Sequence, residues 1–355
     1  MVIKFPDKSK TLKGLYCLAP FETAMINEWG KVYICGCDAW LPTPVGNIND
    51  EPIDVILNNA LSNQIRSSIL DHTYTFCNEK TCKVIQNNEL LTRSQLGEKE
   101  ADIIDWQKKD KTSSYSIRRI FFAGDRTCNL SCPSCRTKVI KYYQHGGRDQ
   151  ESKRDRLVDR FVKNLFSSPN HKLEEIVLST SGELFASEVL LRVLEQANLE
   201  NFPRCKLHIQ TNGLLLKDRW HRLGQWKDRV STVNLTADAS TKDVYEKLRR
   251  GGRYERLLEN LQWFKEKKTK DNINFIMKMV VQRDNIHQLE DFYEFGKRNG
   301  ADEVHYCRIT DWAVMSPETF ASVDILSDKH PDHERANGIL EAFKSKGHQD
   351  AKFFG

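Results

Sequence analysis

The stretch whose reading decides the fold is "GDRTCNLSCPSCR", residues 124–136, which sets Cys128, Cys132 and Cys135 at the spacing C-x3-C-x2-C. Three clustered thiols match neither a disulfide, which consumes two, nor a closed zinc site or an ordinary four-thiolate cluster, which takes four ligands. Three thiolates can hold three irons of a [4Fe-4S] cube and leave the fourth without a protein ligand, open to an exogenous molecule. A zinc knuckle or a set of inert thiols is the alternative, although zinc would still need its fourth ligand.

Around that loop the chain alternates strand and helix. Short β-branched or apolar runs read as strands: "IRRIFFAG" before the loop, then "EIVLST", "KLHIQTNG", "STVNLTAD", "NFIMKMVVQ" and "DEVHYCRI". Between them "RDRLVDRFVKNLF", "SEVLLRVLEQANL" and "RYERLLENLQWFKEK" repeat apolar residues every three or four positions, the mark of amphipathic helices. Right-handed crossovers arrange such units as a parallel sheet curled into a full or partial barrel. What remains after the sixth strand is too short for two further units, so the expectation is an α/β fold with an open (β/α)6 barrel over 118–312. The cysteine loop then lies at the carboxyl end of the first strand, where barrel active sites are assembled. The N-terminal segment is expected to cover the open mouth, and residues 313–355 to form a C-terminal helical tail.

The composition fits a soluble, intracellular globular protein. A chain of 355 residues with 39% hydrophobic content can bury a substantial core. It shows neither a signal peptide nor an apolar run near the roughly 20 residues of a membrane helix, so a cytoplasmic protein with no membrane partner is expected. Ten cysteines in a reducing compartment point to metal or cluster ligation rather than disulfides. Cys205 and Cys307 stand apart in apolar segments and read as small hydrophobes. A net charge of +5, from 54 basic and 49 acidic residues, is too mild to establish nucleic-acid binding. The basic runs "RRGGRYER" (249–256) and "KEKKTKDN" (265–272) read as solvated faces, with an anionic substrate as the minority reading.

The C-x3-C-x2-C loop after a first strand resembles the radical S-adenosylmethionine (radical SAM) superfamily, which has a partial (β/α)6 barrel. The resemblance implies that S-adenosylmethionine chelates the unique iron and that an electron from the reduced cluster cleaves it to a 5′-deoxyadenosyl radical. It extends over roughly 118–312. "STSGELFAS" resembles the family's Gly-Gly-Glu element, giving Ser181, Gly182 and Glu183 the methionyl ammonium. "IQTNG" resembles a recurrent cofactor-facing element through Thr211 and Asn212. "NLTADAS" places Thr236 and Asp238 near the ribose or substrate. "YEKLRRGG" resembles the family's Tyr-x-x-x-Arg segment, making Arg249 the partner of the methionyl carboxylate, and Gln282 ends the fifth strand toward the same pocket. Many members carry an aromatic residue before the third cysteine; here Ser134 stands in that place.

Residues 1–95 resemble a SPASM/twitch domain through Cys17, Gly30 and Cys35, which fit C-x(9–15)-G-x4-C, and through "VGNINDEPIDVILNNALSNQIR", where a Gly-Asn turn precedes an amphipathic helix. The resemblance implies one auxiliary [4Fe-4S] cluster, completed by Cys77 and Cys82. Full SPASM domains have seven cysteines and commonly follow the barrel; this segment has fewer and precedes it. Cys37 is the spare, and in an extended strand it shares a face with Cys35, so the two could exchange roles. A four-cysteine zinc site is the alternative. Residues 96–117 are charged and turn-prone and read as a linker.

The expected function is reductive cleavage of S-adenosylmethionine and hydrogen abstraction from a small polar metabolite or nucleotide-type substrate. An external one-electron donor such as flavodoxin or ferredoxin would supply the electron. Modification of a nucleic-acid base or a peptide is the nearest alternative, and a non-catalytic iron-sulfur or zinc protein that binds nucleic acid is the rival class. Arg308, Asp311 and Trp312 either overlie the pocket or serve as cap and packing groups. His330 and His333 read as the start of a C-terminal helix rather than a metal pair.

Overall fold

All six strand candidates form strands, and their alternation of apolar and polar residues decides which face each buries. The computed structural model describes residues 2–109, 117–141, 148–166, 172–178 and 181–354. The chain divides into two compact units, one of residues 1–125, 146–180 and 192–206, the other of residues 126–145, 181–191 and 207–355.

In the first unit β1 (Leu15–Tyr16) lies early in the chain, followed by β2 (Thr23–Ile26), β3 (Lys31–Tyr33), β4 (Gly46–Asn47), β5 (Leu91–Thr92), β6 (Arg119–Phe122) and β7 (Glu175–Leu178). β1 pairs antiparallel with β5. β2, β3 and β4 form an antiparallel ribbon, while β2, β6 and β7 run parallel to one another. The helix Arg148–Phe166 buries Val158, Phe161 and Leu165, a spacing that puts them on one face. Phe161 meets Phe122 of β6 edge to face at 4.8 Å. Burial of each such side chain contributes about 1.5–3 kcal/mol.

In the second unit β8 (Lys206–Thr211), β9 (Val230–Thr236), β10 (Asn274–Val281), β11 (Glu303–Arg308) and β12 (Ala351–Phe354) form a parallel sheet in chain order. One face is apolar: Leu207, Ile209, Val233, Leu235, Phe275, Met277, Val304 and Tyr306 are buried there. The helix Tyr254–Asp271 covers part of it with Leu257, Leu261 and Phe264, the last edge to face with Phe275 at 5.1 Å. The helix Leu289–Arg298 adds Phe292 and Phe295.

Several local expectations need correction. The single amphipathic helix read over 52–72 is two, Ile53–Leu57 and Ala60–Leu70, because the Asn59 side chain leaves the helix to accept the Ser62 N–H at 2.9 Å and caps the second. The segment read as a linker contains the helix Glu98–Lys109, which buries Ala101 and Ile104 one turn apart; residues 110–116 lie outside the described residues. The strand toward Cys35 stops at Tyr33, so Cys35 and Cys37 do not share a strand face: Cys35 is buried and Cys37 half-buried. The N-terminal segment contributes β2 to the edge of β6, and the tail, helical over Pro317–Val323 and His333–Lys344, ends in β12 beside β11. These strands are too short for a period-2 pattern to announce them.

Candidate functional site

The three-cysteine loop is held from within its own unit. Cys128 N–H donates to the Ile140 carbonyl at 2.9 Å, and Cys135 and Arg136 N–H both reach the Cys132 carbonyl, closing a turn at Pro133–Ser134. Ser131 N–H reaches the Arg250 carbonyl, and Arg250 returns donors to the Ser131 and Thr137 carbonyls. That exchange needs the chain to reverse immediately after Arg250. Gly251 does so at φ +92°, a conformation side-chain-bearing residues avoid, and a Cβ on Gly252 would lie 2.8 Å from the Arg249 carbonyl. The "RRGG" segment is therefore part of the loop's support, with Arg249 largely buried and Arg250 exposed.

Each sulfur has a nitrogen donor. Leu130 N–H points at Cys128 Sγ (3.5 Å), with Asn212 Nδ2 at 3.9 Å. Arg249 Nη1 lies 3.5 Å from Cys132 Sγ, and Arg136 places Nε and Nη2 at 3.4 and 3.3 Å from Cys135 Sγ. Burial pushes the Cys128 thiol up to about 11, and Arg136 acts against that shift. Donors of this kind match sulfurs that carry charge in the working protein, as thiolate ligands do.

The elements named from the sequence converge on this loop. Glu183 N–H bonds the Thr127 carbonyl. Its carboxylate, 1% exposed, accepts from Thr211 Oγ1 (2.8 Å), Asn212 N–H (2.6 Å) and Phe185 N–H (3.1 Å). Burial raises its pKa, and these donors, Asn212 first, pull it back. Asn212 bonds Asn129 Oδ1 at 2.9 Å. The turn beyond it requires Gly213, at φ +81°, since a Cβ there would stand 2.6 Å from Leu235.

Arg249 and Asp238 meet each other. Arg249 Nε lies 3.3 Å from Asp238 Oδ2, Arg249 Nη2 donates to the Thr236 carbonyl, and Asp238 Oδ1 accepts the Val280 N–H at 2.8 Å. Burial opposes the Arg249 charge, but Asp238, then Cys132 and Tyr245, outweigh it and raise its pKa. The 3.3 Å approach is an ion pair whose angle is too poor for a hydrogen bond, so Arg249 Nε remains a donor to be satisfied, as does the buried Ser181 Oγ. Gln282 is buried at the end of β10, and its N–H bonds Asn285.

Sequence reasoning missed Arg136 and Asn285. Asn285, fully buried, spans the Asp238 and Val280 carbonyls, both at 2.9 Å. Arg136 was legible only as the basic residue next to the third cysteine. Arg308 forms a two-pronged ion pair with Asp324 (2.8 and 2.7 Å), and Asp311 accepts the Ala313 N–H in a turn; neither caps a helix, since Ser316 caps the one that follows. Trp312 is exposed. His330 bonds the Ser322 carbonyl and the Asp332 N–H, and His333 begins its helix.

In the first unit Cys17, Cys35, Cys77 and Cys82 line one cavity of about 190 Å3; Cys37 does not. Trp40 and Leu41 on one side and Val84 and Ile85 on another make the remaining wall largely apolar. The 77–82 loop is fixed by Asn78 N–H on the Trp40 carbonyl and Thr81 Oγ1 on the Ala39 carbonyl. Burial pushes Cys17 up to about 11 and raises Cys35 and Cys77 as well, each further raised by neighbouring sulfurs of the set. To stand as thiolates, these four sulfurs would need a strong cationic partner. The pocket is roomier than a single zinc ion about 2.3 Å from each sulfur needs. Among the described residues no group of three or more His, Cys, Asp or Glu lies close enough to share a single ion. A cubane does not require that crowding, because its thiolates bind separate irons. Both sites thus fit iron-sulfur clusters by their donor chemistry.

Two family models match the chain. Residues 126–296 match the model of the Radical SAM superfamily, and residues 17–83 match that of SPASM, an iron-sulfur cluster-binding domain. No curated protein sequence matches the chain. Among solved structures, SuiB of Streptococcus suis bound to S-adenosylmethionine is similar at 13% identity and a TM-score of 0.43, over 85% of this chain and 64% of SuiB. A radical SAM methyltransferase from Sphaerobacter thermophilus is similar at 16% identity and a TM-score of 0.39, over 64% of this chain and 63% of the other. The chain thus spans less than two thirds of the length of either. Among the described residues no helix is long and apolar enough to cross a membrane.

Proposed function

From the premise that this chain belongs to the radical SAM superfamily and carries a SPASM domain, we propose that it is an enzyme that reductively cleaves S-adenosylmethionine and abstracts hydrogen from a small polar metabolite or nucleotide-type substrate. The cofactors of these two domains are a [4Fe-4S] cluster with S-adenosylmethionine and auxiliary iron-sulfur clusters. When bound, the first pair supplies a 5′-deoxyadenosyl radical; the chain's own residues hold, orient and enclose it.

Cys128, Cys132 and Cys135 would hold the first cluster, and Cys17, Cys35, Cys77 and Cys82 the auxiliary one. Asn212, Arg249 and Arg136 orient the three loop sulfurs. Glu183 fixes Thr211 and Asn212 against the loop, and Ser181 Oγ and Arg249 Nε keep polar atoms for the amino-acid end of S-adenosylmethionine. An external one-electron donor of the flavodoxin or ferredoxin kind would supply the electron.

A polar substrate is supported by the second face of the parallel strands. There Gln210 pairs in register with Asn234, and Lys278 with both Thr236 and His305. Asn234 Oδ1 is buried without a partner. Such a row offers hydrogen bonds and one cationic group to a polar or anionic molecule.

The observation that carries the proposal is the loop itself: three cysteines, each sulfur met by a nitrogen donor. It is tested by reconstituting the full chain anaerobically with iron and sulfide, reducing it with S-adenosylmethionine and measuring 5′-deoxyadenosine. Formation that disappears on replacing Cys128, Cys132 and Cys135 with alanine is expected; formation that persists contradicts the assignment.

A further inference from the structure

We propose that Arg136 raises the reduction potential of the cluster held by Cys128, Cys132 and Cys135, acting as a positioning residue through the Cys135 sulfur. This deepens the reading of the loop given above and rests on it.

Arg136 is 7% exposed, and its donors are committed. Nε and Nη2 straddle Cys135 Sγ at 3.4 and 3.3 Å, Nη1 donates to the Arg126 carbonyl at 2.9 Å, and Nη2 also reaches the Ser181 carbonyl at 3.0 Å. The fork therefore grips one ligand sulfur and ties both the start of the cysteine loop and the Ser181–Glu183 element to it. Lysine, a single point charge, could not make that arrangement.

The charge balance separates Arg136 from Arg249. Asp238 lies 3.3 Å from Arg249 and compensates its charge. Among the described residues no carboxylate pairs with Arg136, and its hydrogen-bonding partners are two carbonyls and the Cys135 sulfur. A buried cation with no carboxylate partner gains most when the neighbouring group becomes more negative. One-electron reduction of a cluster does that, and N–H donors on its sulfurs act in the same direction. Arg136 thus favours the reduced cluster and eases delivery of the electron.

The test is an EPR-monitored redox titration of the anaerobically reconstituted full chain with redox mediators and a low-potential one-electron chemical reductant. It compares the wild type with Arg136→Met and Arg136→Lys. The relevant signal is the one lost, with about four irons, when Cys128, Cys132 and Cys135 are replaced by alanine. At the wild-type midpoint the reduced-to-oxidised ratio is expected to fall about tenfold in Arg136→Met, a shift of about 59 mV to lower potential, and by less in Arg136→Lys. If Arg136→Met loses its iron, the smaller downward shift in Arg136→Lys carries the test. A wild-type midpoint in an iron-replete variant, or loss of the iron from both, would overturn the role of Arg136 alone. An unchanged iron count in the triple alanine variant would overturn the reading of the loop itself.

Discussion

Asp238 and Arg249 form a buried ion pair, Oδ2 3.3 Å from Nε, whose carboxylate also accepts the Val280 N–H and whose guanidinium also touches Cys132. Asp238 adopts φ +65°, a left-handed conformation that Asp tolerates better than most residues. The pair joins the end of β9 to the cysteine loop.

Breaking that pair strands a buried charge, at a cost of about 3–5 kcal/mol. Asp238→Asn should therefore destabilise the chain more in the wild type than in an Arg249→Met background. A double-mutant cycle by urea denaturation measures the coupling. Strict additivity of the two substitutions would rule out the pairing as an energetic unit.

The auxiliary cavity makes a discriminating prediction among cysteines. Cys17→Ala, Cys35→Ala, Cys77→Ala and Cys82→Ala should each lower the iron of the reconstituted protein from about eight to about four per chain. Cys37→Ala should leave it unchanged, since Cys37 does not line the cavity. Iron loss in the Cys37 variant with retention in Cys35→Ala would invert the assignment.

Glu183 accepts three hydrogen bonds while 1% exposed. Glu183→Gln replaces one acceptor oxygen with a donor facing other donors, and should cost about 1–3 kcal/mol of stability. Glu183→Asp, which keeps the charge but shortens the reach, should recover only part. Chemical denaturation checks both, and a neutral Glu183→Gln would show that the carboxylate is dispensable as a brace.

The C-terminal strand offers a pH test. Lys352 of β12, then His305, hold the Glu303 carboxyl below its ordinary value. Because the folded value is depressed, the stabilisation is full above the unfolded value near 4.3 and is lost as pH falls through the lower folded value. The difference in thermal midpoint between the wild type and Glu303→Gln should hold steady near neutrality and shrink below about pH 4.3. A difference that fails to shrink below about pH 4.3 contradicts the linkage.

How much of this was legible in the sequence depended on whether the informative residues were contiguous. Cys128, Cys132 and Cys135 lie within one short loop, and the strands around them carry strong apolar alternation, so the sheet and the loop could be read directly. The partners of those residues could not. Asp238 and Arg249 were each expected to face the cofactor, and the structure pairs them with each other, a contact between a strand end and the C-terminus of the following helix that spacing does not encode. Arg136 resembles any solvated arginine until the Ser181 carbonyl is brought beside it. The break at Asn58–Asn59 and the helix Glu98–Lys109 were missed because side-chain capping and a short buried stripe outweighed the apparent periodicity and the high charge. Cys37 stood level with Cys35 until the strand was seen to end at Tyr33.

The central claim is that the three loop cysteines leave one iron open for S-adenosylmethionine. Its most direct test uses full-length chain carrying Cys17→Ala, Cys35→Ala, Cys77→Ala and Cys82→Ala, reconstituted without oxygen so that only the loop cluster remains. The low-temperature EPR spectrum of that reduced cluster is recorded before and after S-adenosylmethionine is added. A changed spectrum, with about four irons per chain, is predicted; an intact cluster whose spectrum does not respond to saturating S-adenosylmethionine would contradict the account.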